Sequence, residues 1–447
     1  MGIKDLFVTP FVIMLVLFLA WFVRPMVTNE DTRKYFMPGL LVKIFGALAV
    51  GFVYQFYYGG GDTFGYHTHG SVHVWEALVT EPLKGLKMLM AQGGYDFEVY
   101  EYSSKIWYYR DPAGYFLIKI AAIFDLFTYA TYSGTASLFA LLSFAGAWAM
   151  YQTFYRLYPA MHKHLALAIL FVPSVFFWGS GIFKDTVTLA MLGWAVFAFG
   201  KLFIERRKNL FYVLIMLGAF YIIFQLKIYI LLCLLPALVL WLFFRSLHRI
   251  KNFILRLLVT PAMLALALTI GYFAIQQVGE GHKRYSLENL AMTAKITAYD
   301  IRYGWGARDG IGSGYELGEL DGTFGSMVRL APAAINVTLF RPYLFEVRNP
   351  LMLFSAVESF ATLLLTLFVV YQLYKSKQFS RILFQPEIIF CLTFALVFAF
   401  AVGISTYNFG TLSRYKLPVM PVYLTGLLLI YYKSKREMKL EELESTE

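Results

Sequence analysis

Residues 210–244 read LFYVLIMLGAFYIIFQLKIYILLCLLPALVLWLFF, with Gln225 and Lys227 as the only amide and charged side chains in the run. A straight helix rises about 1.5 Å per residue, so this stretch would reach roughly 50 Å, well past the roughly 30 Å hydrocarbon core of a bilayer. It is therefore predicted to fold into a hairpin, with Gln225 and Lys227 marking the turn. That reading sets the fold class as an all-α, polytopic membrane protein.

Composition agrees with this. The 447-residue chain is 59% hydrophobic and 15% charged, with a mean hydropathy of +0.60, whereas a soluble globular chain carries roughly 25% charged residues. Its tyrosines and tryptophans are frequent near the ends of apolar runs, where an amphipathic ring sits at headgroup depth. Lys4 precedes an apolar run over 11–23 that ends in Trp21-Phe22-Val23-Arg24-Pro25. That ending lacks a small-residue cleavage site, so the run is expected to be a retained helix. Cys233 and Cys391 lie in apolar runs far apart in sequence, and read as small buried hydrophobes with no disulfide framework.

Working outward, candidate spans cover 8–23, 39–57, 113–131, 135–155, 164–178, 182–200, 209–225, 226–244, 256–274, 351–371, 387–404 and 414–432. The expectation is about 12 transmembrane helices in a single transmembrane domain over 1–447, with outer loops 58–112 and 275–350. Basic clusters at 206–208, 245–256, 375–381 and 433–436 fall on one side if the spans alternate, and a cytoplasmic excess of Lys and Arg makes that side the inside. Strict alternation then puts 58–112 inside as well, whereas Arg24, Arg33 and Lys34 suggest the reverse. Both polar loops are outside only if an early span is re-entrant, split or miscounted.

The 58–112 loop opens with Gly59-Gly60-Gly61 and continues through a mixed stretch over 72–90, interrupted by Glu76, Glu81, Lys84 and Lys87. This stretch reads as an interfacial amphipathic helix. The 275–350 loop carries Gly304, Gly306, Gly310, Gly312, Gly314, Gly318, Gly322 and Gly325, which predicts irregular backbone with many turns. The chain shows no internal repeat.

Three constellations could carry chemistry. The first is Gly61-Asp62-Thr63-Phe64-Gly65-Tyr66-His67-Thr68-His69. A carboxylate pinned by glycine turns at a membrane surface, Asp62, can serve as a general base on a hydroxyl or hold a divalent cation. The structural alternative is a solvated loop in which Asp62 caps the next helix. His67, His69 and His73 are weaker metal candidates, because three histidines still need a fourth ligand or water in a closed geometry.

The second constellation is 173–185, PSVFFWGSGIFKD. Pro173, Gly179 and Gly181 permit a sharp break, where a bilayer tolerates free backbone donors if protein or water lines them. Ser180 or Lys184 can then approach an anion, with Asp185 in the first turn of the following helix; the structural alternative is a cap and a snorkelling lysine. The third is 406–421, TYNFGTLSRYKLPVMP. Arg414 and Lys416, on the side that the positive-inside tendency disfavours, are suited to a phosphate, through a bidentate fork and a point charge respectively. Lipid-headgroup anchoring is the alternative. Pro418 and Pro421 would kink the last span and open a lateral groove for a lipid tail.

These motifs, in this order, resemble the multi-span glycosyltransferases of the C-type fold that take sugars from polyprenyl-phosphate carriers, the protein mannosyltransferase-like enzymes among them. Asp62, or less well Asp96, matches the acidic residue of their first outer loop; Pro173, Trp178, Ser180 and Asp185 match a proline, aromatic, serine and acidic turn. Arg414-Tyr415-Lys416-Leu417-Pro418 with Pro421 matches a C-terminal arginine-tyrosine-basic-leucine-proline run. Phe340-Arg341-Pro342-Tyr343-Leu344-Phe345-Glu346, followed by Glu358, is similar to a stretch in membrane proteins of surface polysaccharide synthesis. The chain departs from the pattern in an extra apolar run before the acidic loop and in the lack of a paired acid beside Asp62.

The resemblance implies a C-type-like fold and glycosyl transfer at the outer face of the inner (plasma) membrane, in cell-envelope polysaccharide biosynthesis. The carrier phosphate would meet Arg414, Lys416, Lys227, Arg341 or Lys184. Asp62 would act on the acceptor hydroxyl, with Asp185 as a second catalytic candidate. Partners would be a polyprenyl-phosphate-linked sugar, a glycan, lipid or protein acceptor, and membrane lipids, with no nucleic acid. A divalent cation is the one cofactor the site could take, and there is no phosphate-binding glycine loop for a nucleotide. A polysaccharide polymerase remains an alternative. So does a transporter using Lys119, Asp125 and Lys227 along a pathway, or a non-catalytic subunit of a surface-export or secretion complex.

Overall fold

The computed structural model describes residues 2–247, 314–318 and 323–444, with Met292, Lys295, Ile296, Tyr299, Asp300, Tyr303 and Asp321 singly. The 256–274 span lies outside the described residues, as do Gly304, Gly306, Gly310, Gly312 and Gly322. Among the described residues every regular element is helical, and the one extended pairing is an isolated bridge between Gly314 and Asn408. The expected all-α class is therefore observed.

Seven described helices are long and apolar enough to cross a membrane: Ile3–Val27, Arg33–Tyr57, Tyr132–Leu157, Lys184–Ile204, Leu210–Leu247, Pro350–Lys375 and Pro386–Thr406. The difference from twelve has local causes. The 113–131 run forms a helix of 17 residues, Pro112–Thr128. The 164–178 run is split into His162–Leu170 and Pro173–Phe177, because Pro173 has no N–H to continue the first piece. The 414–432 run is divided between Phe409–Tyr415 and Val419–Glu444. The 210–244 run, expected as a hairpin, lies in one 38-residue helix, Leu210–Leu247, whose backbone is non-helical only at Lys227, with φ −150° and ψ 78°.

The chain forms two compact units, Met1–Ile228 and Tyr229–Glu447. In the first, the long helices pack through glycines. A Cβ on Gly193 would come within 1.9 Å of the Gly146 carbonyl oxygen, and one on Gly46 within 1.9 Å of the Phe176 oxygen. Backbones approach this closely only where a side chain is missing, the usual device of membrane helix interfaces.

Side-chain bonds define the two ends of this unit. At one end, Tyr155 accepts from Asn29 (2.7 Å) and donates to Asp31 (3.1 Å), the Tyr35 hydroxyl meets His162 (2.9 Å), and Arg156 meets Glu205 (3.3 Å). At the other end, Asp5 accepts from the Ser133 N–H (2.8 Å), Thr63 meets Tyr132 (2.7 Å), and Lys184 meets Asp111 (2.9 Å). The Pro112–Thr128 helix starts beside Asp111 and ends just before Tyr132, so both its ends lie at this second end. It packs along the 58–111 segment, with Tyr115 donating to the Met88 carbonyl (2.7 Å) and Lys119 to that of Ala91 (2.8 Å).

The 113–131 run, expected as a span, is thus a 17-residue helix packed along the 58–111 segment. Residues 58–111 share an end with the 178–184 turn, while Arg24, Arg33, Lys34 and Arg206 to Lys208 share the opposite one. The mixed stretch over 72–90 is two helices, Val72–Thr80 and Pro82–Met90, with Pro82 starting the second as prolines readily do.

Lys43 is 1% exposed in the middle of its helix. Its ammonium donates to Ser143 (2.9 Å) and to the carbonyls of Val175 (2.8 Å) and Gly179 (3.1 Å). The carbonyls freed where the chain breaks are thus satisfied by a buried cation, as low-dielectric surroundings require.

In the second unit, Ala331–Phe340 lies close on Pro386–Thr406. A Cβ on Gly403 would come 2.1 Å from the Ala334 oxygen, and Thr338 donates to the Ala399 carbonyl at 2.8 Å. Arg245 pairs with the buried Glu387 at 3.0 Å, and Trp241 stacks on Phe390 at 4.7 Å. Tyr423 of the last helix meets Thr366 at 2.9 Å.

Candidate functional site

The first unit gathers four of the sequence candidates at one end. Gly59, Gly60 and Gly61 all have positive φ, at 66°, 139° and 127°, a run that L-residues with side chains rarely tolerate. They turn the chain so that Asp62 opens the short Asp62–Tyr66 helix. Asp62 sits at the first helical position, directly after Gly61 as the N-cap. The Tyr108 hydroxyl lies 3.4 Å from its Oδ1. Tyr108 also packs on Tyr66, with ring centroids 4.8 Å apart.

Lys184 stands over that same Tyr66 ring at 5.7 Å and bonds Asp111. Its neighbour Asp185, 2% exposed, pairs with Lys227 at 2.5 Å. Asp62, Tyr66, Tyr108, Asp111 and Lys184 form a polar and aromatic patch, and Asp185 with Lys227 continues it inward. Asp111 and Tyr108 carry no motif in the sequence. Only the fold, by placing the end of the 58–111 segment against the 178–184 turn, marks them.

Other candidates take structural roles. Ser180 is buried and donates to the Phe176 carbonyl at 2.6 Å. Trp178 packs edge-on against Tyr54 at 6.4 Å. Asp96 accepts from the Glu98 N–H (3.1 Å) and pairs with Lys87 (2.8 Å), and the bond to the ammonium holds its carboxyl below the usual carboxylate range.

The histidines diverge. His69 stacks on Trp107 at 3.9 Å, His73 faces Glu76 at 3.6 Å, and His67 faces the buried Asp125 at 3.4 Å. Among the described residues no group of three His, Cys, Asp or Glu converges on a point where a metal would sit. The residues raised for a transport pathway are each bound within the unit: Lys119 to the Ala91 carbonyl, Asp125 to Thr135 and His67, Lys227 to Asp185.

The second unit brings the 340–346 stretch, Glu358 and the 414–418 run together. Arg341 Nε lies 3.1 and 3.0 Å from the two Glu346 carboxylate oxygens, a charge-assisted fork. Its guanidinium also lies over the rings of Phe409 (5.4 Å), Tyr315 and Tyr343 (both 5.7 Å). Burial pushes the Glu346 carboxyl up, but the bonds from Arg341 and the Tyr343 N–H outweigh it and leave it below its ordinary value.

Ser359 donates to the Arg341 carbonyl and accepts from Lys416, both at 3.0 Å. Lys416 is 1% exposed, with the Glu358 carboxylate acting on its ammonium. Ser359, 57 positions earlier in the chain, and its neighbour Glu358 thus face Lys416. Arg414 is half-buried in the preceding turn, where Ser413 meets Ser355 at 2.9 Å. Asp62, Lys184, Asp185 and Lys227 belong to the first unit, and Arg341, Arg414 and Lys416 to the second.

The fold and these two clusters define an all-helical chain with several helices suited to a membrane. Comparison with protein-family models, with characterised proteins and with solved structures returns no match for it.

Proposed function

We propose that this chain is a multi-pass membrane glycosyltransferase, related in mechanism to the C-type enzymes, which moves a sugar from a polyprenyl-phosphate carrier to an acceptor. The observation that supports it is the meeting of Asp62, Lys184, Asp185 and Lys227 at one end of the first unit. These residues come from three separate stretches of sequence; Asp62, Asp185 and Lys227 are also ones to which the resemblance gives a role. In this reading the end carrying Arg24, Arg33 and Arg206 to Lys208 is cytoplasmic, and the Asp62 end faces out.

Asp62 takes the proton of the acceptor hydroxyl, whose oxygen forms a bond to the anomeric carbon as the bond from that carbon to the phosphate oxygen breaks. The electron pair leaves on the carrier phosphate. Lys184, shared with Asp111, is placed to balance the charge that develops there, which lowers the barrier. Arg341, Arg414 and Lys416 are the phosphate candidates of the second unit; the first and last are engaged by Glu346 and Ser359, so a phosphate there competes with internal partners.

The test is Asp62→Asn, which keeps shape and removes the charge. With purified protein and a short-chain polyprenyl-phosphate sugar, transfer is expected to fall at least ~100-fold, the scale of a lost general base, with melting temperature unchanged. Transfer at the wild-type rate would remove Asp62 from the chemistry and the reading with it.

A further inference from the structure

At the C-terminal end of the Pro350–Lys375 helix lies a half-open cavity of about 500 Å³, lined by Tyr371, Tyr374, Lys375, Lys377 and Phe379. The rings are strongly exposed, Tyr371 at 60%, Tyr374 at 75% and Phe379 at 48%. Helix C-termini ordinarily present unpaired carbonyls that repel anions. Here those of Gln372 and Tyr374 accept the N–H groups of Ser376 (3.0 Å) and Lys377 (3.2 Å), and the Leu373 carbonyl accepts the Ser376 hydroxyl (2.7 Å). Two lysines thus line the cavity at a helix end whose last carbonyls are bonded within the chain.

The acids of the last helix that reach this segment meet other side chains. Arg381 holds Glu437 at 2.9 Å, and Gln378 meets Glu441 at 3.3 Å. Among the described residues, neither Lys375 nor Lys377 has an acidic partner. Leading to the cavity, Leu364, Leu367, Phe368 and Tyr371 are exposed at helical spacing on the same helix, which makes one continuous apolar lane.

An apolar lane that ends in aromatic rings and two lysines matches the layout of a lipid, with acyl chain along the helix and headgroup at its end. We propose that this cavity is a specific site for an anionic glycerophospholipid, its phosphate held between Lys375 and Lys377 and its glycerol region against Tyr371 and Tyr374. The basic cluster at 375–381 then does more than orient the helix: it binds a lipid that fixes the depth of this helix end. The site does not depend on the glycosyltransferase reading, because none of its residues enters that chemistry.

The full-length protein in mild detergent is titrated with phosphatidylglycerol and, separately, phosphatidylcholine, and retained lipid is counted by native mass spectrometry. Phosphatidylglycerol is expected to bind one to one and more tightly than phosphatidylcholine. The K375Q/K377Q variant is expected to lose at least ~10-fold in affinity for it, about 1.4 kcal/mol, with an unchanged elution profile. The exposed pair Lys435 and Arg436 is the control: K435Q/R436Q keeps wild-type affinity if the site is specific. Tyr374→Ala, which leaves both charges, weakens binding if the ring shapes the site. Equal loss in the control pair, or equal binding of the two lipids, overturns the proposal as general surface attraction. Displacement of phosphatidylglycerol by a much lower concentration of polyprenyl phosphate overturns the choice of lipid.

Discussion

Lys227, at the one non-helical residue of the 38-residue Leu210–Leu247 helix, places its ammonium 2.5 Å from the Asp185 carboxylate, 42 positions earlier in the chain. The break and the pair explain one another. A helical Lys227 would stay on the apolar surface of its run, whereas the break directs it onto the only carboxylate of the adjoining helix's first turn. Removing one member of a buried pair is costly because it strands the other. Lys227→Met is expected to destabilise the protein by about 3–5 kcal/mol, while Lys227→Met with Asp185→Leu recovers most of the loss. Denaturant unfolding of the purified protein measures both, and a double variant no better than the single would show that the pair does not act as a unit.

Lys43 supports a second break by another route, since its hydrogen-bond partners are a hydroxyl and two backbone carbonyls. Lys43→Met keeps the length of the side chain but leaves the Val175 carbonyl without this donor in the interior. A loss of about 1–3 kcal/mol per stranded group follows. Faster proteolysis within 171–183, read by mass spectrometry of the fragments, would place the damage at the break. Cleavage spread evenly along the chain would instead mark a global effect.

Glycines separate close packing from mere helix propensity. Gly193→Ala drives a methyl against the Gly146 backbone, whereas Gly218, in an exposed turn of a helix, has nothing within 4 Å of a built Cβ. The first change is expected to lower the melting temperature markedly, and Gly218→Ala to raise stability by up to about 1 kcal/mol. Comparable melting temperatures for the two variants would mean that the helices do not meet as closely as described.

Glu346 carries a pH signature. Its folded carboxyl lies below the ordinary value because Arg341 and the Tyr343 N–H outweigh burial, so its stabilising effect is complete above the unfolded glutamate value of about 4.3 and fades as pH falls through the lower, folded one. Glu346→Gln removes that contribution at neutral pH. The gap in melting temperature between wild type and variant is therefore expected to be largest near neutrality and to narrow below about pH 4. A gap that widened on acidification would reverse the assigned sign.

Much of the candidate site is legible in the sequence because its residues violate the local rule. Asp62 follows three glycines, Lys184 and Asp185 interrupt a long apolar stretch, and Lys227 stands nearly alone in the 210–244 run. Asp111 and Tyr108 violate nothing, since they lie in a polar segment where acids and tyrosines are ordinary. They become visible only when Lys184 and Asp62 meet them. Lys43 also stands alone in an apolar run, but unlike Lys227 it marks no excess of helix length, and its role is visible only once three oxygens are found around it.

By itself the sequence determined the all-helical class, the long apolar runs and the break at Lys227. Hydropathy and helix length are local properties, and a bilayer leaves few other ways to satisfy the backbone. Only the tertiary structure decided that Pro112–Thr128 runs along the polar segment at one end of its unit, which chain end lies beside which, and which cation meets which acid. A 17-residue apolar helix is compatible with crossing a membrane or with lying against its own protein. The choice depends on contacts such as Tyr115 with Met88 and Lys119 with Ala91, between residues whose separation along the chain carries no trace of their meeting.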